Sequence, residues 1–222
     1  MFSFEAWWQI LTTKLPVFFQ GVGTTVELAL CTAIFGTLLG IVVALLRMSR
    51  VKLIKVLAGA YIEFLRGTPL LVQVLIVFYG LPQMGVKLPR MTAGTVALVI
   101  NSAAYMAEIV RSGIQAIDGG QTEASRSLGM NGAQTMIYII LPQAIKNILP
   151  AIGNEFVSII KESSILYTIG IYELTYQANK LASTNFRYLE TLTISALIYF
   201  VLTFTASRLL GMLERRMRRG DR

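Results

Sequence analysis

Long apolar runs separated by short polar breaks dominate the chain. The runs at roughly 22–46, 56–80, 93–117, 147–171 and 189–213 each hold enough mostly apolar residues to form a membrane-crossing helix, for which about 20 are needed. The pattern predicts an all-α integral membrane protein with five transmembrane helices in a single domain, 1–222. The first run, Val22 to Leu46, holds one charged residue, Glu27, and its Gly36-x-x-x-Gly40 spacing predicts close contact with another helix. Ahead of it, Phe4, Trp7, Trp8 and Leu11 fall on one helical face. Aromatic residues favour the membrane–water interface, so a short surface helix is expected before the first span. No basic residue precedes Lys14 and no small-residue cleavage site follows, so this segment does not read as a signal peptide.

Composition narrows the chemistry. Of 222 residues, 55% are hydrophobic and 14% charged, with a mean hydropathy of +0.62; a soluble domain carries about 25% charge. There is no histidine and one cysteine, Cys31, which removes Ser-His-Asp and Cys-His catalysis, Cys/His zinc sites and an intrachain disulfide. No catalytic residue and no metal site is expected. The formal charge of +8 is distributed in blocks between apolar runs, which points to topology rather than to nucleic acid. Thirteen of the 20 Lys and Arg fall on one side of the five-span arrangement: Arg47, Arg50, Lys52, Lys55, Arg111, Arg126, Lys146 and the tail residues Arg208, Arg215, Arg216, Arg218, Arg219 and Arg222. Five fall on the other: Lys14, Lys87, Arg90, Lys180 and Arg187. The richer side is expected to be cytoplasmic, which puts the N-terminus outside and the C-terminus inside.

The longest interruption, Asp118 to Lys146 on the cytoplasmic side, reads as a helix–turn–helix. Gly119-Gly120 marks a turn and Gln121 to Leu128 suits a short helix. Gly129 is placed to end that helix at positive φ, and Asn131 to cap the next. Leu128, Met130 and Ile137 offer an apolar ridge. From these residues alone, a docking hairpin and a folded connector are equally good readings.

The spacing adds a resemblance. Glu123, Ala124, Ser125, Gly129, Ile139, Leu141 and Pro142 stand in register with the Glu-Ala-Ala-x3-Gly-x9-Ile-x-Leu-Pro signature of ABC-importer permeases, with Ser125 in place of the second alanine. The chain resembles the polar amino-acid (histidine/glutamine-type) branch. Phe64-Leu-Arg-Gly-Thr-Pro-Leu-Leu-Val-Gln73, Asn101-Ser-Ala-Ala-Tyr-Met-Ala-Glu-Ile-Val-Arg111 and Lys161-Glu-Ser-Ser164 fit the same branch, and the likeness runs from about residue 18 to 213. The resemblance implies a pore subunit in the bacterial inner (plasma) membrane that imports polar amino acids by alternating access. It implies two copies of a separate ABC ATPase, docked on Glu123, Ala124, Ser125, Leu128, Gly129, Ile139, Leu141 and Pro142. It further implies a second permease subunit, identical or a sister, and an extracytoplasmic amino-acid-binding protein. ATP and Mg belong to the partner ATPase, and this chain is expected to hold no cofactor. In accord, no Gly-x4-Gly-Lys-Ser/Thr phosphate loop occurs. The rival from another class is an ATPase-independent secondary transporter or channel.

Ionisable groups inside spans cost about 2.5–3.5 kcal/mol on insertion scales, so each needs a reason. Glu63 and Arg66, at i and i+3, read first as a mutual ion pair. Pro69 removes a helical N–H and frees the carbonyl near Leu65. Gly67, Thr68 and Gln73 then border a kink that can offer polar backbone to a pathway. Asn101, Tyr105, Glu108 and Ser112 share one helix face, either lining a pathway or forming a polar seam, with Glu108 and Arg111 suited to pair. The fourth run carries Asn154, Glu155, Ser158, Lys161, Glu162, Ser163 and Ser164. Glu162 suits the ammonium of an amino acid, and Lys161 with Ser163 its carboxylate; the competing reading is an internal Lys161–Glu155 or Lys161–Glu162 pair.

Overall fold

The computed structural model describes residues 2–218, and all regular structure among them is helical. Arg219 and Arg222, counted above toward the cytoplasmic side, lie outside the described residues. In chain order the helices are α1 (Phe4–Arg47), α2 (Lys52–Gly67), α3 (Leu70–Leu75), α4 (Leu81–Gln83), α5 (Arg90–Gln115), α6 (Gly119–Ser127), α7 (Gly132–Gln134), α8 (Leu141–Glu162), α9 (Leu174–Asn185) and α10 (Tyr188–Arg218). A π-helical stretch, Ile76–Gly80, joins α3 to α4, and a second, Thr135–Ile140, joins α7 to α8. Each π stretch ends two residues before a proline, Pro82 or Pro142. The wider turn relieves the crowding between a proline ring and the carbonyl four residues earlier. A 3-10 stretch, Ser163–Ile169, prolongs α8 and stops at Gly170.

Four helical runs are long and apolar enough to cross a bilayer: Phe4–Arg47, Arg90–Gln115, Gly132–Ile169 and Tyr188–Arg216. Lys52–Gly67 and Leu70–Gln83 qualify together but are bent by 108°, so the second expected span is a broken one.

Two expectations are corrected. The aromatic N-terminal segment is not a separate surface helix, because α1 runs unbroken for 44 residues through Pro16. Ile10 and Phe18 are buried against Leu174, Ala178 and Ile194 of α9 and α10, with Trp7 and Leu11 beside them, and Ser3 N donates to Glu190 Oε1 at 2.9 Å. This tertiary packing outweighs the proline. The second arm of the 118–146 loop is likewise not an independent helix: it begins at Gly132 and continues into the fourth span as one run to Ile169.

Helix α5 is the hub. Ala97 and Leu98 pack with Leu28 of α1, Val74 of α3 and Leu166, while Ala107 and Val110 pack with Val43, Ala44, Ile62, Ala144 and Ile148. The opposite face of α1, including Leu30, Ile34, Leu38 and Leu45, is exposed. The Gly36/Gly40 pair is the α1–α5 contact. A Cβ on Gly40 meets Met106 Cβ at 2.4 Å and the Ala103 carbonyl oxygen at 3.0 Å, neither of which can swing aside. Gly40→Val is therefore expected to destabilise the fold by about 3 kcal/mol, the upper range for overpacking. Thermal unfolding in detergent checks this: the midpoint falls for Gly40→Val and holds for Gly23→Val, whose Cβ meets nothing within 4 Å.

Candidate functional site

The chain break between α2 and α3 organises the first polar centre. Thr68 is extended (φ −117°, ψ 149°) and Pro69 follows, so the helix cannot close its ladder here. The freed Leu65 carbonyl accepts from Gln73 Nε2 at 2.8 Å and from Asn101 Nδ2 at 3.5 Å. Gln73 Nε2 also donates to Thr68 Oγ1 at 2.9 Å, and Gln73 Oε1 accepts from Asn101 Nδ2 at 2.9 Å. Both amides are buried. Buried polar groups need partners, and these two side chains supply them across three helices. Gly67 and Thr68 thus border a hydrogen-bonded node built on Gln73 and Asn101.

The face Asn101–Tyr105–Glu108 runs toward the Arg47 end of the bundle from this node. The Arg66 guanidinium lies over the Tyr105 ring, 5.4 Å from its centroid, a cation–π arrangement. The expected Glu63–Arg66 pair is not formed: Glu63 instead meets Arg47 at 3.8 Å. At i, i+3 the two side chains are near enough to pair, but Tyr105 and Arg47 arrive from other helices and redirect both. Glu108 and Arg111 do pair, Arg111 Nε donating to Glu108 Oε2 at 2.9 Å. Ser112 is exposed and donates to the Ile109 carbonyl.

The structure divides the Lys161–Ser164 cluster. Lys161 and Ser164 line a cavity of about 390 Å³ with Thr175, Ser195 and Tyr199. Ser163 is fully buried and donates to the Ile160 carbonyl at 2.8 Å, inside the helix terminus. Glu162 is half-buried and does not line that cavity. Neither expected Lys161 pair forms among the described residues; Glu155 accepts instead from Ser102 at 3.3 Å. Beside the cavity, Tyr199 Oη donates to Glu173 Oε2 at 2.7 Å, and the N–H groups of Thr175 and Tyr176 donate to the same carboxylate at 2.8 and 2.6 Å. Burial pushes the Glu173 carboxyl above its ordinary range, opposed by these donors. The residues missed from the sequence are Thr175, Ser195, Tyr199 and Glu173. An N-cap acid before Leu174 was the available signal.

The hairpin at the other end, whose second arm continues into the fourth span, carries its own local braces. Gly129 has φ +83°. Asn131 and Gln134 form a capping box that starts α7. Ser125, expected on the docking surface, faces inward instead: it is buried, and its Oγ lies 2.9 Å from Thr135 Oγ1. A hydroxyl at this position locks the two arms, which an alanine cannot do. Glu123 and Ala124 are exposed, Leu128 is 84% exposed, and Ile137, Tyr138 and Leu141 are exposed as well. Ile139 is partly buried, its carbonyl accepting from Gln143 at 2.7 Å, and Pro142 is exposed.

Residues 36–219 match the family of binding-protein-dependent transport system inner membrane components. The chain belongs to that family and is a multi-pass inner-membrane permease subunit, with ATP hydrolysis carried by a separate subunit. It is 40% identical over 209 residues to the arginine transport system permease protein ArtQ of Bacillus subtilis, covering 94% of this chain and 95% of ArtQ. It is 33% identical over 213 residues to the glutamine transport system permease protein GlnP of Escherichia coli, covering 95% and 97%. A crystal structure of an amino acid ABC transporter with histidines superposes with a TM-score of 0.91 at 50% identity, covering 97% of this chain and 99% of that one. The MetNI methionine ABC transporter, at 19% identity and a TM-score of 0.72 over 90% of this chain and 97% of that one, shares the fold.

Proposed function

We propose that this chain is one of two permease subunits forming the pore of an ATP-driven importer of polar amino acids. Five spans, the broken pair counted as one, leave the termini on opposite faces, and the Lys/Arg bias favours the N-terminus outside and the C-terminus in the cytoplasm. Two copies of an ABC ATPase dock on the hairpin and hold the ATP and Mg, while this chain holds no cofactor. An external binding protein delivers the substrate, and the second permease subunit is a copy of this chain or a sister. The substrate passes the Gly67–Thr68–Gln73–Asn101–Tyr105 centre and the Lys161, Glu162 and Ser164 side chains. Ser163 contributes by shaping the helix end. The exposed hairpin supports this reading best: Leu128, Ile137 and Tyr138 stand uncovered at a tip held rigid by the Asn131–Gln134 box and the Ser125–Thr135 contact. Apolar side chains on a rigid tip in water suit a groove on a partner.

The Lys/Arg distribution supports a cytoplasmic position for this tip, and cysteine labelling tests that. In a Cys31→Ser background, Gly119→Cys is expected to react with a membrane-impermeant maleimide only in inverted vesicles. Met84→Cys, at a side chain 80% exposed, is expected to react only in intact cells. Reaction of both from the same face overturns the orientation.

A further inference from the structure

Glu27 is the one acidic residue in the first apolar run. It is exposed, and no ion pair or hydrogen bond engages its carboxylate among the described residues. It stands twenty residues before Arg47 on α1, about 30 Å at the helical rise, which is the thickness of the hydrocarbon core. With Arg47 at one headgroup level, Glu27 is at the other. Arg90, the first residue of α5, sits at that same level, because both side chains line one open cavity of about 460 Å³. Arg90 uses one nitrogen on the Gly170 carbonyl at 3.2 Å and keeps further guanidinium donors.

Below this charged mouth lies a second cavity of about 410 Å³ that shares Glu27 and Met91 with the first. It follows the α1–α5 seam past Cys31, Phe35, Val96 and Val99. These positions descend along both helices from the headgroup level into the hydrocarbon layer. A carboxylate and a guanidinium at headgroup depth, above a continuous apolar groove, match a molecule with an ammonium, a phosphate and an alkyl chain.

We propose that this seam is a binding site for a phospholipid with a primary-amine headgroup, phosphatidylethanolamine, in the leaflet opposite the Arg47 end. Its ammonium meets Glu27, its phosphate meets Arg90, and one acyl chain occupies the groove. Lipid tails are as apolar as the groove, so the tail gives no selectivity. Selectivity resides in the charge-assisted hydrogen bonds of the headgroup. A quaternary choline has no N–H to donate to Glu27, and a glycerol headgroup has no cation, so both bind less well.

The test uses the assembled permease–ATPase complex, purified in detergent and exposed to an equimolar mixture of phosphatidylethanolamine, phosphatidylcholine and phosphatidylglycerol with identical acyl chains. Native mass spectrometry counts the retained lipids. Wild type is expected to retain phosphatidylethanolamine at least fivefold over either competitor, and Glu27→Gln to erase that preference. Val99→Phe, which fills the groove, is expected to lower retention of all three. Intact assembly of each variant is read in the same spectra. Because Arg90 also holds Gly170, the Glu27→Gln result carries the decision. Equal retention of the three lipids by wild type overturns the proposal. So does a preference that survives Glu27→Gln, a preference for phosphatidylglycerol, or a complex whose second permease subunit or binding protein covers the seam and leaves no lipid there.

Discussion

Replacing Gly129 with valine is expected to leave the permease inserted but to release the ATPase or uncouple its hydrolysis from transport. Gly129 has φ +83°, a region that β-branched residues occupy only under strain of about 1–3 kcal/mol. No neighbouring atom lies within 4 Å of the added Cβ, so the strain acts on the backbone and not through a clash. It falls at the turn that sets the angle between α6 and the long run beginning at Gly132. Relief of the strain changes how Leu128 is presented relative to Ile137 and Tyr138 and deforms the proposed docking tip. At tenfold per 1.4 kcal/mol, docking weakens by roughly five- to a hundredfold. The purified variant shows this as substoichiometric ATPase or lost substrate stimulation. Gly132→Ala, at a helical glycine whose Cβ also meets nothing within 4 Å, is expected to behave as wild type. Normal stoichiometry and stimulation in Gly129→Val reduce the hairpin to a connector.

Asn101→Leu is expected to lower transport at least tenfold while the complex assembles normally. The substitution removes the donor to Gln73 Oε1 and one of two donors to the Leu65 carbonyl. A buried polar atom left without a partner costs about 1–3 kcal/mol. The loss falls on the helix break, where the bend that separates α2 from α3 keeps only the Gln73 bonds to Leu65 and Thr68 and loses its tie to α5. Since Gln73 and Asn101 act as one unit, the Gln73→Leu/Asn101→Leu pair is expected to lose no more than the worse single variant. Ser112→Ala, on the same helix but exposed, leaves uptake unchanged. Uptake of labelled amino acid into vesicles reads all four. A wild-type rate in Asn101→Leu removes this centre from the pathway.

What was legible in the sequence was local. Pro69 announced the freed Leu65 carbonyl, Gly129 its positive φ, and Asn131 its cap, because each depends on one residue's own backbone chemistry. The third and fifth spans lie within a few residues of Arg90–Gln115 and Tyr188–Arg218, since hydropathy alone sets them. What was not legible was tertiary. The continuity of α1 through Pro16 depends on α9 and α10 packing from more than 150 residues away. Arg66 chose Tyr105 over Glu63, and Ser125 turned inward to Thr135, through partners that spacing does not reveal. The short helix α9 carries too little apolar surface to signal itself, so the sequence does not reveal the Glu173–Tyr199 contact beside Lys161.

The central claim is that this chain conducts amino acids only when its hairpin is driven by an ATPase. It is tested most directly by reconstituting the permease in liposomes with its ATPase and binding protein, with ATP on the hairpin side, and following uptake of a labelled polar amino acid. The account predicts uptake against a gradient that requires both partners and hydrolysable ATP, and none from the permease alone. Concentrative uptake by the permease without the ATPase contradicts it.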